Sequence, residues 1–78
     1  MKNKDISDLA LTSYLSAIGH KLISLKSIEK KFSFSFEDSE TLQKDIMAFY
    51  NRTARVDPLT FSETFRNFKA MIRNQRGD

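Results

Sequence analysis

The strongest chemical signal in the sequence is a row of cationic side chains near its carboxyl end. Arg66, Lys69, Arg73 and Arg76 follow one another at spacings of three, four and three residues, which places them on one face of a helix. That face lies about 100° round the helix from an apolar stripe, so it should point to solvent. Rows of arginine and lysine bind nucleic acid phosphates, chiefly by releasing counterions. The spacing therefore predicts a face that binds nucleic acid backbone without reading base sequence.

Two further arginines, Arg52 and Arg55, lie just before this helix and could extend the cationic surface. An alternative is an ordinary solvated face, in which Glu63 pairs with Arg66 and the remaining charges have no role. A second alternative is a protein-binding module, an adaptor or inhibitor from a phage or mobile element. It would use the same arginines, or Tyr50 and neighbouring apolar residues, against an acidic protein surface.

The other polar residues are poor candidates for catalysis or metal binding. His20 is the one histidine, and no carboxylate at a useful spacing marks a partner, so we interpret it as a residue just past a helix end. Glu37, Asp38 and Glu40 lack the regular spacing of a calcium loop, and helix capping explains them better. The sequence has no cysteine, no glycine-rich phosphate loop and no nucleophile-elbow serine. We therefore expect no enzyme, no metal and no cofactor.

The elements that position these residues follow from hydrophobic periodicity. A first helix over about 6–18 is indicated by an apolar stripe at spacings of four, three and four: Leu11, Leu15, Ile18 and Leu22. We expect Asp5 or Ser7 to cap its start and Gly19 to end it.

A hairpin should follow, since the period changes to two after His20. Lys31 to Glu37 is the clearer strand, because three phenylalanines alternate with serines: Phe32, Phe34 and Phe36. We expect this aromatic face to be core, although an exposed face of this kind could instead stack nucleic acid bases. Residues 27–30 read as the connection from the preceding strand.

Two more helices complete the prediction. One spans about 39–51, capped by Asp38 or Ser39 and ended by a left-handed Asn51. The other begins at Asp57-Pro58, or two or three residues later, and runs to about Asn74 with an apolar stripe of Phe61, Phe65, Phe68 and Ile72. The order predicts a small two-layer α+β domain of the form α-β-β-α-α, with a two-stranded antiparallel hairpin packed on three helices.

Composition sets the remaining expectations. A chain of 78 residues predicts a single domain with an ordered core over about 6–74. The hydrophobic core of so short a chain is thin, so a homodimer is a possible way to bury more apolar surface. The net charge of +3 makes it a small basic protein. No apolar run is long enough to span a membrane and no signal-peptide pattern opens the chain, so we expect no membrane partner and, by default, a cytoplasmic location.

Four motifs in order resemble a small family of prokaryotic and mobile-element proteins classed as a domain of unknown function. They are Gly19-His20-Lys21-Leu22, Phe34-x-Phe36-Glu37-Asp38, Phe49-Tyr50-Asn51 and Val56-Asp57-Pro58, with Phe61 to Ile72 downstream. The resemblance covers roughly residues 6 to 73 and implies a compact free-standing domain without catalytic residues. Many members with this pattern carry glycine after the asparagine. Arg52 stands there in this chain, so the helix would have to end on Asn51 itself.

Overall fold

The fold has six elements within residues 2–75, the part of the chain that the computed structural model describes. In chain order they are β1 (Asn3–Ile6), α1 (Leu9–Ala17), β2 (Leu22–Ile28), β3 (Lys31–Glu37), α2 (Glu40–Tyr50) and α3 (Pro58–Gln75). The predicted α+β class and the predicted hairpin and three helices are confirmed.

The sheet has three antiparallel strands in the order β1-β3-β2, rather than the two that the sequence predicted. Residues 3–5 precede the predicted ordered core and Ile6 was expected to open the first helix, but all four pair with β3 from Asn3↔Glu37 to Ile6↔Phe34. Ser35 donates a side-chain hydrogen bond of 2.5 Å to Asp5 across this pair. Only Ile6 in β1 is apolar, so the segment has no alternating pattern that would predict a strand. It is a strand because it pairs with β3.

Helix α1 begins later than predicted because its cap is Asp8. The Asp8 carboxylate accepts hydrogen bonds from the backbone amides of Ala10 at 2.9 Å and Leu11 at 3.1 Å. Neither Asp5 nor Ser7 serves as the cap, since both precede this residue and Asp5 belongs to β1.

The end of α1 agrees with the prediction. Gly19 has a φ of 109°, and the amide of His20 donates to the carbonyl of Leu15 at 3.0 Å. Together with the amide of Gly19 donating to Ser16, this is the Schellman arrangement that ends many helices.

The hairpin closes through a two-residue turn. Glu29 and Lys30 have φ values of 50° and 70°, and Ile28 pairs with Lys31 on either side of them. Two consecutive left-handed residues are the signature of a type I′ turn, whose twist suits an antiparallel hairpin. Neither residue is glycine or asparagine, which explains why the sequence did not reveal the turn type.

The phenylalanine face of β3 is core. Phe34 and Phe36 are 1% and 0% exposed, so the prediction of a core role is confirmed for these two, and they cannot serve as a base-stacking platform. Phe32 is half-buried. The helices cover this face with buried residues that include Leu15 of α1, Leu42 of α2 and Phe68 of α3.

The later helices have the predicted starts. Ser39 caps α2 by accepting from the amide of Leu42 at 3.0 Å, and Asp57 caps α3 by accepting from the amide of Thr60 at 2.9 Å. The start of α3 is therefore at Pro58, and the later alternative is excluded.

The end of α2 differs from the prediction at one residue. Asn51 has an ordinary φ of −83°, and Arg52 takes the left-handed conformation with a φ of 62°. Thr53 then donates its amide to the carbonyl of Ala48 at 2.9 Å, which repeats the arrangement at the end of α1. The hydrogen-bond pattern fixes which position must be left-handed, and this outweighs the preference of asparagine for that conformation.

Candidate nucleic-acid interface

Three of the predicted cations meet on the outer surface of α3. Arg66, Lys69 and Arg73 are all exposed and line one open concavity of about 450 Å³. We call these three residues the basic face. Arg76, the fourth member of the predicted row, lies outside the described residues.

The orientation of α3 follows from its apolar side. Phe68 is 5% exposed and packs the edge of its ring on Phe34 of β3, with centroids 5.1 Å apart and planes at 72°. At about 100° per residue, the basic face occupies a sector of roughly 60° that begins about 100° from Phe68. Burial of Phe68 therefore turns the basic face to solvent, as the spacing predicted.

No carboxylate neutralises the basic face within residues 2–75. The pairing of Arg66 with Glu63, which belonged to the alternative of an ordinary solvated face, is not formed among the described residues, and Arg66 instead donates to the Ser62 hydroxyl at 3.2 Å. The Lys69 ammonium lies 5.7 Å from the centre of the Phe65 ring, a cation–π geometry. The three charges run along about 10 Å of helix, so they can meet neighbouring phosphates of one backbone.

Phe65 departs from its predicted core role. It is half-buried, but among the described residues it does not pack against the buried cluster, whereas Phe61 and Ile72 do. Its ring stacks on Phe61, with centroids 6.1 Å apart and planes at 29°. Phe65 lies on the edge of the apolar stripe nearest the basic face, and a stripe read from periodicity alone does not separate its edge from its centre.

Arg52 and Arg55 are exposed but do not belong to the same concavity. They lie between α2 and α3, and neither is among the described residues that line it. Arg52 follows the last turn of α2, where a positive charge is favoured by the negative end of the helix dipole. The structure thus brings together three of the predicted cations and leaves these two apart.

A contact that the sequence did not reveal joins a residue just past the end of α1 to α2. The Nε2 atom of His20 lies 2.6 Å from Oδ2 of Asp45, with the two side chains 18% and 28% exposed. The same carboxylate, together with burial, acts on Tyr14: burial first and the charge of Asp45 second raise the pKa of that phenol. Because 25 residues separate His20 from Asp45, no local spacing could have indicated the pair.

The His20–Asp45 pair ties the end of the first helix to the second. Within residues 2–75 no hydroxyl or other nucleophile is hydrogen-bonded to His20, so the third member of a hydrolytic triad is not supplied there. The described part of the chain also holds no group of three histidine, aspartate or glutamate side chains close enough to bind a metal ion. None of its helices has the length and apolar character needed to cross a membrane.

Comparison with known proteins places the chain in a family. The model of the family described as Domain of unknown function (DUF5659) matches residues 1–74. No curated protein matches the chain, and no solved structure does either. The match spans nearly all of the 78 residues, and it confirms the resemblance to a family classed as a domain of unknown function. The chain therefore belongs to the DUF5659 family.

Proposed function

We propose that the protein is a non-enzymatic binding module whose basic face contacts the phosphate backbone of nucleic acid. One observation carries this proposal: Arg66, Lys69 and Arg73 line a single concavity and have no carboxylate partner among the described residues. Cations that are already paired would have to break an ion pair before binding a phosphate. The three cations of the basic face can therefore bind a phosphate without first breaking an ion pair.

The binding mode follows from the chemistry of the face. Three cations on one helix can each displace condensed counterions, and affinity should then fall with salt at a logarithmic slope of about −2.7 on duplex. Between 50 and 200 mM salt this corresponds to a loss of about 40-fold. Contacts of this kind position a protein on a backbone and carry no sequence information.

A fluorescence-anisotropy titration with labelled duplex and single-stranded oligonucleotides at these two salt concentrations tests the proposal. The variant Arg66→Ala/Lys69→Ala/Arg73→Ala should lose binding at 50 mM salt. A matched control removes three exposed lysines elsewhere, as Lys21→Ala/Lys26→Ala/Lys31→Ala, which changes the net charge by the same amount. The control should bind nearly as well as the unaltered protein.

Two outcomes would overturn the proposal. If the unaltered protein binds neither oligonucleotide at 50 mM salt, nucleic acid is not its partner. If both triple variants weaken binding equally, attraction depends on net charge and the basic face has no special role. Light scattering on the same samples reports whether the protein is a monomer or a homodimer.

A second candidate function is protein binding through α2. Met47 and Tyr50, 57% and 58% exposed, lie three residues apart and share one face of the helix. The Tyr50 ring is held against Phe49, with centroids 5.4 Å apart and planes at 84°. Exposed methionine and tyrosine side by side are typical of protein interfaces. This function predicts a protein captured in a pull-down at 300 mM salt, retained by the basic-face variant and lost by Tyr50→Ala.

A further inference from the structure

We propose that the ligand of the basic face is single-stranded nucleic acid, and that Phe65 is the ring on which one of its bases stacks. This inference rests on the proposed function and names its ligand class. It starts from the observation that Phe65 is half-buried and yet does not pack against the buried cluster among the described residues. A phenylalanine in a protein this small would be expected to contribute to that cluster.

Phe65 lies beside the basic face. At about 100° per residue it is about 40° from Lys69 round the helix, and it is turned by about 60° from Phe68 toward the cations. Its ring stacks on Phe61. The Lys69 ammonium also lies over the ring, 5.7 Å from its centre. The ring is thus held by an aromatic neighbour and has one charge of the basic face directly beside it.

The pairing of an aromatic ring with a row of cations selects single strands. Proteins that bind single strands without sequence preference combine a cationic track for the backbone with aromatic side chains on which bases stack. In a duplex each base is already stacked and paired, so a single ring on a helix surface has no free base face to meet. A phosphate that draws the Lys69 ammonium away would uncover the Phe65 ring, which couples backbone binding to stacking.

The phenylalanines of the described strands are buried or half-buried, and none of them lies on the helix that carries the basic face; Phe32 of β3 is half-buried. Phe34 and Phe36 are 1% and 0% exposed in the core. Phe65, in contrast, lies on α3, and its ring is in contact with Lys69 of the basic face.

The test compares three ligands of equal length: a single strand, a duplex and an abasic strand, which keeps the phosphates and lacks the bases. We expect the unaltered protein to prefer the single strand over the abasic strand by about 5- to 150-fold, the range that one stacked base supplies. Phe65→Ala should abolish that preference and leave affinity for duplex unchanged. Phe65→Leu keeps an apolar side chain and should act in the same direction, with circular dichroism as the check that both variants fold.

The outcomes separate this inference from the function on which it rests. If single strand, abasic strand and duplex bind alike with steep salt dependence, and Phe65→Leu changes nothing, the stacking role is wrong and backbone binding stands. If the basic-face variant binds every ligand as well as the unaltered protein does, the proposed function is wrong. If Phe65→Leu weakens duplex and single strand equally, Phe65 supports the helix surface and does not stack on a base.

Discussion

Helices α1 and α3 differ in length, and the shorter one buries more side chains. Helix α1 has 9 residues and buries five consecutive side chains, from Leu11 to Leu15. Helix α3 has 18 residues and buries only Phe68. The short helix lies at the centre and contacts both other helices, whereas the long one covers the core with a single stripe. The length of a helix therefore says little about its share of the core, and the long helix is the one with a surface to spare for a ligand.

Because α1 is central, it buries polar side chains as well as apolar ones, whereas α3 buries no polar side chain. Thr12 and Ser13 are both 0% exposed although they are polar. Ser13 donates to the carbonyl of Leu9 at 2.8 Å, but the hydroxyl of Thr12 has no hydrogen-bond partner among the described residues. An unpaired buried hydroxyl costs about 1–3 kcal/mol, so packing around α1 must outweigh this penalty.

The largest expected effect is in α1. Leu15 is 0% exposed, and Leu15→Ala should lower the free energy of unfolding by about 2–5 kcal/mol, because it removes buried methyl groups and leaves a cavity. Urea denaturation monitored by circular dichroism measures this change. A midpoint close to that of the unaltered protein would show that α1 is not the centre of the core.

A smaller effect is expected for the equivalent change in α3. Phe65→Ala should cost only about 1 kcal/mol, since the ring is half-buried and full burial of such a side chain is worth about 1.5–3 kcal/mol. The same urea titration gives the comparison with Leu15→Ala. A loss of more than about 3 kcal/mol, typical of a core phenylalanine, would mean that Phe65 is core after all, and it would remove the basis of the stacking proposal.

A titratable group in α1 and one at the start of α3 should make the free energy of unfolding depend on pH, the first at alkaline pH and the second at acid pH. The raised pKa of Tyr14 in α1 contributes stability below the ordinary value of 10.0, and this is lost as pH rises through the raised pKa. Hydrogen bonds from Thr60, the backbone amide first, lower the pKa of Asp57 at the start of α3. Its contribution is present above the ordinary value of 3.8 and is lost as pH falls through the lowered pKa.

Two variants separate these effects. Tyr14→Phe should flatten the alkaline side of the stability profile and leave the acid side unchanged, while Asp57→Asn should do the reverse. Thermal unfolding midpoints across the pH range measure both. A profile that keeps its alkaline fall in Tyr14→Phe would assign that fall to another group.

The sequence predicted the elements whose partners lie nearby in the chain. The stripe of Leu11 and Leu15, the alternating phenylalanines of β3 and the Asp57 cap each depend on residues within one turn or one strand, so a local pattern reports them. Strand β1 has no such pattern, because its hydrogen bonds come from β3 about 30 residues away.

The candidate site was predictable to the same extent. Arg66, Lys69 and Arg73 meet because one helix carries them, and their spacing was sufficient to place them together. The Asp45 partner of His20 depends on how two helices pack, which no spacing reports. The position of Phe65 relative to the core depends on the rotation of α3 about its axis, and contact between Phe68 and Phe34 decides that rotation.

The strand order β1-β3-β2 has a consequence for how the chain folds. The hairpin of β2 and β3 closes over a two-residue turn, but β1 can pair only after β3 has been made, since Asn3 pairs with Glu37. Short-range contacts form first because they close the smallest loops. During synthesis on the ribosome, residues 3–6 therefore wait unpaired while the next thirty or so are added. The first strand in the chain is then the last to join the sheet, and amide hydrogens in β1 should gain protection from exchange after those of the hairpin.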